Sequence, residues 1–181
     1  MTALPDAAVL ASTQRWLERA VIGLNLCPFA KAEHVHGRIR YAVSAAINAS
    51  ALLRDLAHEA KYLVEQDPQH TETTLLIATH MLHDFLDFND FLDEADALLE
   101  NLALDGILQV ASFHPQYQFA GTHADDIDNY SNRAPYPILH LLREASVERA
   151  VAAFPEAEMI YERNIATLRQ LGHAGWAKML A

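Results

Sequence analysis

A chain of 181 residues, 51% hydrophobic and 20% charged, has the length and composition of one ordinary globular domain with one sizeable core. Its formal net charge of −11 argues against sequence-independent nucleic-acid binding, which needs a basic footprint, and against docking on an anionic membrane surface. The single cysteine, Cys27, excludes an internal disulfide and fits a reducing compartment.

The N-terminal stretch MTALPDAAVL has no basic segment followed by an apolar core, so it does not read as a secretory leader. No apolar run is long enough to span a bilayer. The expected location is the cytoplasm.

Apolar residues at Val9, Leu10, Trp16, Leu17, Ala20, Val21 and Leu24 recur at helical spacing and predict a first helix, which Pro28 closes. Arg38 to Ser44 alternates polar and apolar residues, the pattern of a half-buried strand. Leu52, Leu56, Ala60 and Leu63 mark a second helix. Thr73 to Thr79 is a short apolar run of strand length. Phe85, Phe88, Phe91, Ala95, Leu99 and Leu102 then recur every three or four residues. Asp84, Asp87, Asp90, Asp93, Glu94 and Asp96 occupy the other positions, giving an amphipathic helix with an acidic outer face and Gly106 as its cap. Ile107 to Phe113 is a third strand. Two further helices are expected, from about Pro137 to Phe154 and from Pro155 to Leu171, with Gly172 capping the second and one short turn in the tail.

This order predicts a single α/β domain, a small sheet of about three strands built from β-α-β-α-β, with helices at both ends of the chain. Helical crossovers favour parallel strands. Three parallel strands would gather Ser44, Thr79, His80 and His114 at the carboxyl edge of the sheet, where open α/β sheets bind ligands. A ferredoxin-like α+β sheet with antiparallel neighbours is the alternative, and in it that clustering fails.

Between the third strand and the next expected helix lie roughly two dozen residues rich in His, Asp, Asn, Arg, Tyr and Pro. Loops of that length in a compact domain are usually functional or disordered. Phe113, Tyr117, Phe119 and Tyr136 argue for order. The runs LCPFA (26–30), FHPQYQFAG (113–121) and SNRAPYPILHLLREASVERA (131–150) resemble a bacterial family of about this length, the domain of unknown function 1415 family. The resemblance extends to DFLDFNDFLD and YERNIATLRQLGHAGW. It implies no reaction, substrate or cofactor.

Chemistry must therefore come from the residues. His114, placed before Pro115 at a strand end, has a side chain suited to proton transfer near neutrality, to metal ligation or to a structural hydrogen bond. Asp126 or Asp125 would orient it or hold a cation. His80, His114, Asp125 and Asp126 are the metal-ligand candidates, opposed by the absence of any regular metal motif and by the habit of Asp and Asn to form turns with their own backbone. Arg133, followed by an expected helix N-terminus, offers a fork for phosphate or carboxylate. Its alternative is a salt bridge to a loop aspartate. Asn132, Gln118 and Tyr136 would complete the ligand-binding set. Cys27 is either a nucleophile activated by a neighbouring cation or a small buried hydrophobe. His140, Arg143 and Glu144, taken at helical spacing, read as the floor of the site or as a solvated or interhelical polar face. No GxxxxGK[ST] or GxGxxG pattern occurs, so no nucleotide cofactor is indicated, and a divalent metal stays open.

Three functional classes follow. The leading one is a small enzyme acting on a phosphate- or carboxylate-bearing metabolite through the 114–137 loop. The others are a non-catalytic ligand-binding or regulatory module, and an interaction protein whose acidic helix meets a basic partner. A homodimer is compatible with the sequence, although no feature specifies one.

Overall fold

A computed structural model describes residues 6–154 and 156–181. The first five residues of the leader reading and the expected helix start at Pro155 fall outside them. The described residues fold as one four-stranded sheet with helices on both faces. The elements are α1 (Asp6–Trp16), a π-helical continuation (Leu17–Ile22), α2 (Ala30–Val35), β1 (Ile39–Ser44), α3 (Ala49–Glu65), β2 (Thr73–Ala78), α4 (Phe85–Asn101), β3 (Leu108–Phe113), a 3₁₀ segment (Ile127–Asn132), β4 (Ile138–Arg143), α5 (Glu144–Ala153), a short 3₁₀ turn (Ala157–Met159) and α6 (Ile160–Leu180).

Two expectations need correction. The sheet has four strands in the order β1-β2-β4-β3, and only the β1/β2 pair is parallel. β4 lies antiparallel between β2 and β3. The expected helix at 137–154 is thus a strand up to Arg143 and a helix only from Glu144. The ILHLLR run is covered on both faces, and a strand buried on both faces loses its period-two signal. The chain order β-α-β-α-β-β also departs from the β-α-β-β-α-β of the ferredoxin-like alternative. β1, β2 and β3 nevertheless run in one direction, because β4 is antiparallel to both β2 and β3.

One sheet face is covered by α3 and α4. Leu52, Leu56, Ala60 and Leu63 from α3, with Phe88, Phe91, Ala95 and Leu99 from α4, pack on Leu76, Ala78, Leu139 and Leu141. Helix starts are fixed by side-chain caps: Asn48 accepts from the Ala51 amide at 2.9 Å, and Asp84 from the Leu86 amide at 2.8 Å. The cap expected at Gly106 is displaced. α4 ends at Asn101, Ala103 takes the left-handed conformation, and Gly106 serves the next turn. Gly172 does interrupt α6, at φ 67°, but the chain returns to helix and carries it to Leu180.

The other face is packed by α1, its π-helical continuation and α6 through Val9, Trp16, Leu17, Val21, Leu168 and Trp176, on Leu75, Ile77 and Ile138. Among the described residues no helix is long and apolar enough to cross a membrane.

Candidate functional site

The register of β2, β4 and β3 sets the floor of one cavity. Ile77, Ile138 and Phe113 form a row across the sheet, Leu75, His140 and Ala111 the next, and Thr73, Leu142 and Gln109 the third. α1 and α6 pack on the first row. The other two form the floor of a cavity of about 370 Å³, walled by Cys27, Phe29 and Ala30 on one side and by Ser146, Val147 and Ala150 of α5 on another. Trp16 and Phe113 close its end, meeting edge to face at 5.1 Å. The lining is mostly apolar, with Glu33 and Glu72 among its few charged members. It lies toward the amino ends of β1 to β3, opposite to the edge expected from the sequence.

His140 is the polar centre of that floor. Its Nε2 lies 2.7 Å from Thr73 Oγ1, and Thr73 Oγ1 lies 2.6 Å from the Leu141 carbonyl oxygen. A hydroxyl has one hydrogen, and a carbonyl only accepts, so Thr73 donates to Leu141. Its oxygen must then accept from His140 Nε2–H. The imidazole is thereby fixed as one tautomer, with Nδ1 left as an acceptor that has no protein partner among the described residues. Burial pushes the His140 pKa down to about 4, so the ring is neutral near pH 7.

Strand alternation sends Arg143 to the opposite face. There its Nη2 reaches the carbonyl oxygens of Leu63 at 2.6 Å, Gln66 at 3.0 Å and Thr71 at 3.0 Å, tying the end of α3 and the following turn to the end of β4. The His140 and Arg143 side chains therefore leave opposite faces of β4, although Arg143 also borders the cavity. Cys27 is a half-buried free thiol. Its position follows from the π-helix: the Leu26 amide donates to Val21 at 2.9 Å, and Asn164 of α6 holds the Leu26 carbonyl at 2.9 Å.

The 114–137 loop is ordered largely by its own hydrogen bonds. Asn129, fully buried, is its hub. Its Oδ1 accepts from the Phe119 amide at 3.0 Å and from Thr122 Oγ1 at 2.8 Å, while its Nδ2 donates to the His123 carbonyl at 2.8 Å. Gln118 donates to the Thr122 carbonyl, and Asn132 to the Ser112 carbonyl. Asp126 accepts from the His123 amide, Asp125 offers its carbonyl to His173, and Asp128 takes a two-point ion pair from Arg169.

His114 has no exposed surface. Its Nε2 donates to the Leu82 carbonyl at 2.9 Å and its Nδ1 accepts from the Gln116 amide at 2.9 Å, with Phe85 and Phe88 against the ring. Burial lowers its pKa. With both nitrogens engaged it holds the loop to the start of α4. Thr79 does reach Ser44, donating to its carbonyl at 3.3 Å, but neither Ser44, Thr79, His80 nor His114 lines either of the two cavities. Among the described residues no three His, Cys, Asp or Glu side chains converge, so His80, His114, Asp125 and Asp126 form no metal cluster.

Arg133 makes no salt bridge to a loop aspartate among the described residues. No helix begins after it. Its Nε donates to the Tyr117 carbonyl at 3.3 Å and its Nη2 to the Ala124 carbonyl at 2.5 Å, and its guanidinium lies 4.3 Å from the Tyr130 ring centre. It also lines a second cavity of about 370 Å³, near the end of β3, with Arg15, Tyr130 and Trp176. Tyr136 packs against the α1/α6 core and lines neither cavity. The sequence reading missed Thr73 and Asn129 altogether, since nothing in their local pattern marks them. It named His140 but placed it on a helix.

Residues 8–178 match a family described as protein of unknown function (DUF1415), and the chain belongs to that family. No curated protein and no solved structure matches the chain. Each of the three motif runs that carry the resemblance contributes to the apolar cavity, through Cys27 and Phe29, through Phe113, and through His140 and Leu142.

Proposed function

We propose that this protein binds a small molecule with a flat or branched apolar body and one hydrogen-bond donor, in the cavity over His140. The observation that carries this reading is a neutral imidazole with a free acceptor nitrogen in the floor of a mostly apolar cavity. A concave apolar site with a few converging polar groups and a perturbed histidine is the usual form of a small-molecule site. The ligand's body would pack on Leu75, Leu142 and Val147, and its donor would meet Nδ1.

An enzyme is the second reading. It is favoured by Cys27 and His140 lining the same cavity, where a neutral imidazole can accept the thiol proton. The reading in which His114 transfers a proton beside an anion held by Arg133 draws less support. The His114 ring is enclosed, both its nitrogens are bonded within the protein, and it lines neither cavity with Arg133.

Thermal unfolding with 2-naphthol and with 2-methoxynaphthalene, which lacks the donor, tests the proposal. A probe at about a hundred times its Kd stabilises the fold by about 2.7 kcal/mol, several degrees for a domain of this size. Stabilisation by 2-naphthol is expected in the wild type and absent in Val147→Trp, which fills the cavity. In His140→Phe the preference for 2-naphthol over its methyl ether should disappear. Equal stabilisation of all three proteins by both compounds refutes the assignment.

A further inference from the structure

We propose that the cleft walled by the end of α1, the loop's 3₁₀ segment and the end of α6 is a second ligand site, which takes a carboxylate or phosphate group carried on a flat aromatic body. Among the described residues, the only charged side chains lining it are two cations, Arg15 and Arg133. The chain has 24 acidic against 13 basic residues, and elsewhere Arg38, Arg40, Arg163 and Arg169 are each paired with a carboxylate. Arg15 and Arg133 have no carboxylate partner among the described residues. What sets these two apart from the other arginines without a carboxylate partner is that they line one cleft together, where paired guanidiniums favour an anion.

The second cation is held in place before any ligand arrives. Its Nε and Nη2 are anchored on the carbonyls of Tyr117 and Ala124, and its plane lies over Tyr130. Tyr130 in turn meets Trp176 edge to face at 5.3 Å. A guanidinium has five N–H donors, so with two committed about three remain for an anion. An anchored guanidinium loses little freedom on binding, which favours affinity. The aromatic part of the ligand is implied by the walls. Trp16, Trp176 and Tyr130 line the same cleft, and Ser12 adds a hydroxyl. Flat apolar surface next to two forks for a planar anion suits an aryl carboxylate or an aryl phosphate.

This site is separate from the cavity over His140, although Trp16 contributes to both, so either assignment can fail alone. Calorimetric titration with benzoate and with phenyl phosphate, using benzamide as the uncharged counterpart of benzoate, tests it. Tryptophan fluorescence gives a second readout, because both tryptophans of the chain line the cleft. Saturable binding of one of the two anions is expected, and the tighter one identifies the anionic group. Benzamide should bind at least about tenfold more weakly than benzoate if the carboxylate is that group. Arg15→Gln, on the exposed side of α1, should weaken anion binding at least about tenfold without affecting the fold. Arg133→Lys should weaken it similarly, since an ammonium cannot reproduce the fork. Val147→Trp should leave it unchanged. The proposal is overturned if neither anion binds, if benzamide binds as well as the tighter anion, if Arg15→Gln has no effect, or if Val147→Trp abolishes binding.

Discussion

The folded protein should lose stability in mild acid through His140, and the effect can be isolated in one variant. The His140 pKa is about 4 in the folded chain, against an ordinary value near 6.5. Between those two values the unfolded chain holds the proton and the folded chain does not, so stability rises with pH across that window. Read downward, the contribution is intact above about pH 7 and is lost as the pH falls toward 4. The full difference, about 2.5 units at 1.36 kcal/mol each, bounds the effect at about 3 kcal/mol. Of this, about 2 kcal/mol should already be gone by about pH 5. His114, also lowered by burial, pushes the same way, and carboxylates begin to titrate near the bottom of the window. His140→Gln separates the terms, because glutamine can keep the bond to Thr73 but does not titrate. Urea unfolding at intervals from about pH 8 to about pH 5 should show the wild type losing about 1 to 2 kcal/mol more than the variant. Parallel curves for the two proteins would mean that His140 is solvated, and the cavity floor as described here would be wrong.

The remaining expectations concern single side chains. Tyr41 has its hydroxyl buried without a partner and its pKa pushed up to about 12, chiefly by desolvation. Tyr41→Phe should therefore hold or raise the urea midpoint, by up to about 1 kcal/mol, whereas removing a satisfied hydroxyl would lower it. Asn129→Ala strands the Phe119 amide and leaves the Thr122 hydroxyl and the His123 carbonyl with one remaining partner each, so a loss of about 1 to 3 kcal/mol is expected, with proteolysis beginning inside 114–137. Iodoacetamide labelling of Cys27 should be slowed by bound 2-naphthol, since the thiol lines the same cavity, and an unchanged rate would place the probe elsewhere. A side chain at Gly23 would run into the Arg19 carbonyl, so Gly23→Ala should lower Tm by reshaping the turn that carries Cys27.

Elements with a single clean period were legible in the sequence. The stripes of α3 and α4 and the strands β1, β2 and β3 fall within a few residues of their expected bounds, because each has one face or one short run to bury. β4 was not legible. Ile138-Leu-His-Leu-Leu-Arg is apolar on both sides of the sheet apart from His140 and the terminal Arg143, and a buried strand of six residues has the same local composition as a buried helical turn. That one substitution of helix for strand carried the site with it. It put a helix N-terminus beside Arg133 that does not exist, set His140 and Arg143 on one face, and left three parallel strands where β4 intervenes. The long loop was rightly read as ordered by its aromatic content. Its polar side chains, however, are mostly spent on its own backbone, a distinction that residue type alone does not reveal.

The loop and the cavity over His140 are connected by topology. A two-residue hairpin from β3 would give β4 the same antiparallel direction, but the register places Phe113 opposite Ile138, so 24 residues intervene between strands that end side by side. Those residues cannot hydrogen-bond as strand, and Asn129, His114 and Arg133 supply the partners that keep them compact. They also place Pro137 so that its carbonyl accepts from the Ala78 amide at 2.9 Å, which sets β4 against β2. With that register Leu75 faces His140 and Thr73 comes within reach of its Nε2. A slip of one residue would turn His140 toward α3 and α4 and put Leu139 or Leu141 over the cavity. In this sense the 114–137 loop acts on the cavity from a distance. Its internal hydrogen bonds help decide which side of the sheet His140 faces. Destabilising the loop at Asn129 should therefore weaken binding over His140 even though Asn129 lines neither cavity. A 2-naphthol affinity unchanged in folded Asn129→Ala would show that the sheet holds β4 in register on its own.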